Sequence, residues 1–172
     1  MRYFILVLVY AVILSAETLN PVSYVSPKKF SGLWYEIART YNSYQEKCVG
    51  SSIEYKLVEP LKYKVFNRCF DTVIGGDLIE YSGTAQPKEG KNMSSINMTY
   101  FWIFTKSYNV YYLQKDYLYA VVADKNFEQV WIMSRTPKMP EEKLGEILTY
   151  LSNVLERQKL IYTPQDEKGR YK

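Results

Sequence analysis

From Lys28 to Arg135 the chain runs as short stretches rich in tyrosine, valine, isoleucine and other strand-forming residues, each cut off by turn formers. Strands are expected at residues 33–41, 49–58, 61–70, 76–85, 95–103, 108–114, 117–123 and 129–135. Between them stand Glu59-Pro60, Gly75-Gly76, the stretch from Pro87 through Gly90 to Asn92, Lys115-Asp116 and the stretch from Asp124 to Asn126. Evenly spaced short strands make a sandwich or a barrel. Eight of them on short connections fit a meander that closes on itself and leaves no exposed edge. The expected fold is all-β, an eight-stranded antiparallel up-and-down β-barrel. Past Arg135 the apolar period changes from two to about 3.6. Leu144, Ile147, Leu148, Leu151, Val154 and Leu155 recur at helical spacing behind Pro140 and two glutamates. One C-terminal helix over residues 140–157 is expected, packed against the outside of the barrel, with residues 160–162 as a short ninth strand.

The first residues read differently. Met1 and Arg2 precede an apolar run from Tyr3 to Leu14, then Ser15 and Ala16, in the order of an export signal. The run falls short of the roughly 20 residues that span a bilayer. An uncleaved anchor is the alternative, because Leu14 stands where a small residue is preferred. The expected organisation is a signal over residues 1–16, an extended segment over 17–27, one barrel domain with its helix over 28–165, and a tail over 166–172. No cysteine stands near the cut, so the product is expected in the periplasm or secreted, without a lipoprotein anchor. Cys48 and Cys69 are an even pair in a chain expected to be exported, so a single bridge is the default reading and two buried thiols the alternative. A turn near Glu59-Pro60 would bring them close, although by strict alternation Cys48 faces outward while Cys69 faces inward. The charge balance, 22 basic against 18 acidic residues, is too even and too dispersed to argue for nucleic acid.

Gly32-Leu33-Trp34-Tyr35-Glu36-Ile37-Ala38-Arg39 resembles the opening motif of the lipocalins, and in particular of the bacterial lipocalin and apolipoprotein D group. Trp131-Ile132-Met133-Ser134-Arg135-Thr136-Pro137 is similar to that group's closing strand. Tyr108-Asn109-Val110 and the run from Tyr117 to Val122 are similar to its middle motifs. The resemblance covers residues 28 to about 165 in order. It implies a calyx, and structural roles for Gly32, Trp34 and Arg135, with the tryptophan closing the floor and the arginine lying across its ring. It also implies a bridge between Cys48 and Cys69, as in relatives that join these strands. The cargo it implies is a fatty acid, lysophospholipid or similar membrane-derived lipid, with a role in envelope maintenance or stress, and peripheral contact with membrane lipid.

With Trp34 set inward, alternation and the resemblance together give a candidate lining: Ala38, Ile53, Tyr55, Val65, Asn67, Tyr81, Met98, Tyr100, Trp102, Trp131 and Met133. This mostly aromatic and apolar set suits a long apolar body with one polar head, which the tyrosine hydroxyls and Asn67 could fix. The alternative is a barrel filled as a dry core, since eight strands can enclose either. Residues 42–47 and 104–107 are expected to rim the mouth. The chain contains no histidine, which removes the commonest general base and the usual zinc and haem ligand. No cofactor, metal or catalytic residue is expected. A tetrapyrrole or haem carrier and a lipocalin-type isomerase are the rival readings.

Overall fold

The computed structural model describes residues 19–167; the expected signal, the first residues of the expected extended segment and the end of the tail lie outside them. Ser26 and Pro27 open a one-turn helix, α1 (Pro27–Phe30), with the Ser26 hydroxyl accepting from the Lys29 amide and proline in the first turn. Among the described residues nine strands follow: β1 (Gly32–Thr40), β2 (Cys48–Glu59), β3 (Lys62–Asp71), β4 (Leu78–Pro87), β5 (Ser95–Tyr100), β6 (Phe104–Leu113), β7 (Tyr119–Ala123), β8 (Val130–Ser134) and β9 (Leu160–Tyr162). Helix α2 (Glu141–Leu151) lies between the last two. Every neighbouring pair from β1 to β8 is antiparallel. β8 returns to β1, closing the barrel.

Closure has a seam. The first half of β1 pairs with β2, from Gly32 opposite Tyr55 to Tyr35 opposite Ser52, while its second half pairs with β9. The chain after β9 fills the gap. The Thr163 amide donates to the Ile37 carbonyl and the Gly50 amide to the Pro164 carbonyl, while the Gln165 side-chain amide donates to the carbonyls of both Glu36 and Ser51.

Register shifts break the alternation in β1, β2 and β6, and two of them bear on the expected residues. In β1 an extra residue at Ile37 lies between the Glu36–Met133 and Ala38–Ile132 pairs, so every later side chain of the strand changes face. Ala38, expected inward, is therefore on the outside. There it is buried with Val121, Ile132, Ile147 and Leu151 in the layer between barrel and α2, and Arg39 takes the inner place. In β2 the extra residue is at Gly50, whose φ of +60° suits glycine. That shift removes the parity conflict of the cysteines, and Cys48 and Cys69 are bridged with Cα atoms 5.3 Å apart.

The helix ends at Leu151, earlier than its apolar period suggests; Ser152 and Asn153 turn the chain, and Leu155 still reaches the outer layer. The hairpin between β5 and β6 also departs from expectation. Tyr100 pairs with Phe104, so the turn is residues 101–103 rather than 104–107. Phe101 and Trp102 adopt φ values of +49° and +71°, the left-handed region that matches hairpin twist.

Candidate functional site

At the closed end, Phe30 of α1 packs on Trp34 and Tyr55 with ring centroids 5.0 and 5.2 Å apart, and the Trp34 indole donates to the Phe30 carbonyl at 2.9 Å. The Arg135 guanidinium lies 3.8 Å from the Trp34 ring centroid. Its Nη1 donates to Leu33 at 2.7 Å, its Nη2 to Lys29, Ser31 and Phe30 at 2.8, 2.9 and 3.1 Å, and its Nε to Tyr117 at 3.3 Å, all backbone carbonyls. Gly32, with φ at +96°, leaves Arg135 its space: a Cβ there would stand 3.3 Å from Nη1.

Above this floor the inner face is apolar. Ile53, Tyr55, Val65, Met98, Tyr100, Trp131 and Met133 belong to one interior cluster, with Ile96, Val110 and Val122 beside them. Asn67 and Tyr81 are opposite each other across β3 and β4 on the same face, and the Asn67 amide donates to the Tyr100 hydroxyl at 2.7 Å. Nine of the eleven residues proposed for the lining thus share the interior. Besides Ala38, the exception is Trp102, which is 97% exposed on the β5–β6 turn because the chain reverses one residue before it. Burial pushes the phenols of Tyr55 and Tyr100 well up from their usual value, and that of Tyr108 to about 12 with help from nearby Asp124. These rings face a water-poor interior.

Towards the mouth the face turns polar, with residues that alternation alone did not place there. Glu36, 4% exposed, accepts from the Thr163 hydroxyl and the Gln45 amide, each at 2.6 Å, and lies 3.6 Å from Arg39 Nε. Burial raises its carboxyl above the usual carboxylate range, against the opposing pull of Arg39, Thr163 and Gln45. Gln45 Oε1 accepts from the Trp131 indole at 3.1 Å and from the Asn42 amide at 2.6 Å, which ties the β1–β2 loop to the inner wall. Lys106, opposite Met98, pairs with Asp124 at 3.2 Å. Two open grooves, of about 760 and 970 Å³, lie outside the barrel around α2 and the segment after it, away from the aromatic interior. Among the described residues, no group of three or more histidine, cysteine, aspartate or glutamate side chains gathers as a metal site.

Residues 25–165 match the family model for a lipocalin-like domain. The chain is 30% identical over 149 residues to a lipocalin of Acanthamoeba polyphaga mimivirus, covering 83% of this chain and 85% of that protein. It is 29% identical over 133 residues to the outer membrane lipoprotein Blc of Vibrio cholerae, 77% of each chain, and 31% identical over 150 residues to apolipoprotein D of Bos taurus, 80% and 75%. Among solved structures it superposes on insecticyanin from the tobacco hornworm Manduca sexta with a TM-score of 0.71, at 19% identity over 89% of this chain and 87% of that one. Lobster apocrustacyanin A1 gives 0.63, at 20% identity over 82% and 80%. These last two likenesses speak for the fold.

Proposed function

The chain belongs to the lipocalin family, and from that premise we propose that it carries one small lipophilic molecule inside the barrel without transforming it. The observation that carries this reading is the gradient along the inner face, apolar and aromatic from Trp34 up to Met98 and Trp131, then polar at Asn67, Tyr100 and Gln45. Burying a long apolar chain against such a wall contributes about 25 cal/mol per Å². A single-chain membrane-derived lipid, such as a fatty acid or a lysophospholipid, has the matching shape. Against catalysis stand the absence of histidine, the engagement of both cysteines in one bridge, and the fixing of Glu36 by Thr163 and Gln45. Export is part of the proposal, supported by the bridge and by the leader-like start of the sequence.

The same reading gives the β5–β6 tip a task. Phe101, Trp102, Ile103 and Phe104 are all exposed on a projecting turn, at the end where Tyr44, Val73 and Ile74 also stand in the open. Apolar tips around the mouth, with an indole among them, suit contact with a lipid surface from which cargo is drawn. Native mass spectrometry of gently purified protein, followed by organic extraction, tests the carrier reading. The expected result is one lipid mass per chain. A bare chain that also takes up no lipid when incubated with it would overturn the proposal, and a visible Soret band would replace it with a tetrapyrrole carrier.

A further inference from the structure

On the inner face near the mouth, two side chains have buried donors without partners, while the likewise unpartnered Ser52 hydroxyl belongs to the opposite face. Arg39 is 3% exposed, and its Nη2 donates to the Gln45 carbonyl, but neither Nε nor Nη1 makes a hydrogen bond. The Ser51 hydroxyl, on a residue 1% exposed, has none either. Buried donors left unfilled are costly, most of all on a charged group. Both belong to the inner face, since Arg39 is opposite Trp131 and Ser51 precedes the interior residues Ile53 and Tyr55 at even spacing. The seam links them through Glu36: the Gln165 amide holds the backbone carbonyls of Ser51 and Glu36 at 2.9 and 2.6 Å, and the Glu36 side chain in turn faces Arg39. Glu36 does not satisfy the guanidinium. Its two oxygens accept from Thr163 and Gln45, and its distance to Arg39 Nε, 3.6 Å, is too long for a hydrogen bond. The other inner cation at this level, Lys106, is held by Asp124.

We propose that Arg39 and Ser51 form the head-group site of the carrier, taking the oxyanion, carboxylate or phosphate, of a single-chain lipid whose tail lies along Val65, Met98 and Trp131. The inference rests on the carrier reading above. An oxyanion suits the site because it can accept from the two unfilled Arg39 nitrogens and from the Ser51 hydroxyl, and its charge compensates the guanidinium. A fatty alcohol could pair with the Ser51 hydroxyl but brings no charge to the guanidinium.

The test is displacement of a neutral fluorescent probe, N-phenyl-1-naphthylamine, by hexadecanoate, hexadecyl phosphate and hexadecan-1-ol. In the unaltered chain at least one of the two anions should displace the probe at a concentration about tenfold below the alcohol, a difference of about 1.4 kcal/mol. Whichever anion is stronger identifies the head group. Arg39→Gln should bring the anions to the level of the alcohol, Arg39→Lys should keep part of the preference, and Ser51→Ala should weaken it severalfold. If Arg39→Gln does not fold, Ser51→Ala and Arg39→Lys decide. Equal displacement by anions and alcohol, or a preference indifferent to these substitutions, overturns the head-group site while leaving the carrier reading in place. Failure of the neutral probe and of all three lipids to bind removes the carrier reading itself.

Discussion

At the closed end, Arg135 donates to the carbonyls of Lys29, Phe30, Ser31, Leu33 and Tyr117 while lying across Trp34. Removing it leaves buried acceptors unfilled and forfeits the stacking, so Arg135→Met should lower stability by about 3 kcal/mol or more in urea unfolding. Arg135→Lys should recover only part, since an ammonium cannot spread its donors over that fan of carbonyls. A loss below about 1 kcal/mol for Arg135→Met would contradict the role given to it. Glu36 makes a prediction in pH. Its carboxyl is held above its usual range by burial, so as pH rises the unfolded chain gives up this proton before the folded chain does. Stability from this residue is therefore greatest below the ordinary carboxylate range and falls as pH climbs through the raised value. Comparing urea midpoints of the unaltered chain and Glu36→Gln from about pH 4 to about pH 8 isolates the effect. The unaltered chain should lose ground to the variant as pH rises, and a gap moving the other way would show that Arg39, Thr163 and Gln45 outweigh burial.

Among the elements, the β2–β3 hairpin is bridged across 21 residues of sequence separation. A loop of that length confers about 3 kcal/mol in the chain-entropy model, so Cys48→Ala with Cys69→Ala should lower stability by that order while the barrel persists in far-UV circular dichroism. The β5–β6 tip should behave oppositely. Trp102→Ser with Ile103→Ser should leave stability within about 0.5 kcal/mol, because both are exposed, but reduce the fraction that sediments with phospholipid vesicles several-fold. Unchanged sedimentation would deny the tip its lipid contact. The same elements show what could be read from the sequence. Where alternation runs unbroken, as through Ile53 and Tyr55 or Val65 and Asn67, the face of each side chain follows from alternation and the family resemblance together. One extra residue at Ile37 defeated it, exchanging Ala38 for Arg39 on the inner wall, and no residue type in that run announces a bulge. The β5–β6 tip was hidden because residues 101–104 have strand propensity throughout. The turn there uses left-handed Phe101 and Trp102 where asparagine or glycine would have signalled it. The Arg39 and Ser51 site inherits that difficulty, since it exists only once the bulge and the late segment at Thr163 to Gln165 are in place.

For the molecule as a whole, closure of eight strands around an aromatic interior, with α2 on the outside and β9 completing the seam, leaves the mouth loops as the way in. Of the three tryptophans, Trp34 and Trp131 line that interior and Trp102 stands outside it. A Trp102→Ser chain therefore reports on the interior alone. Titrating it with a polyene fatty acid and following energy transfer from tryptophan is the most direct test of interior binding. Sensitised emission should rise to saturation at one probe per chain and fall when unlabelled fatty acid is added. No transfer, or transfer that climbs with probe concentration without saturating, would contradict it.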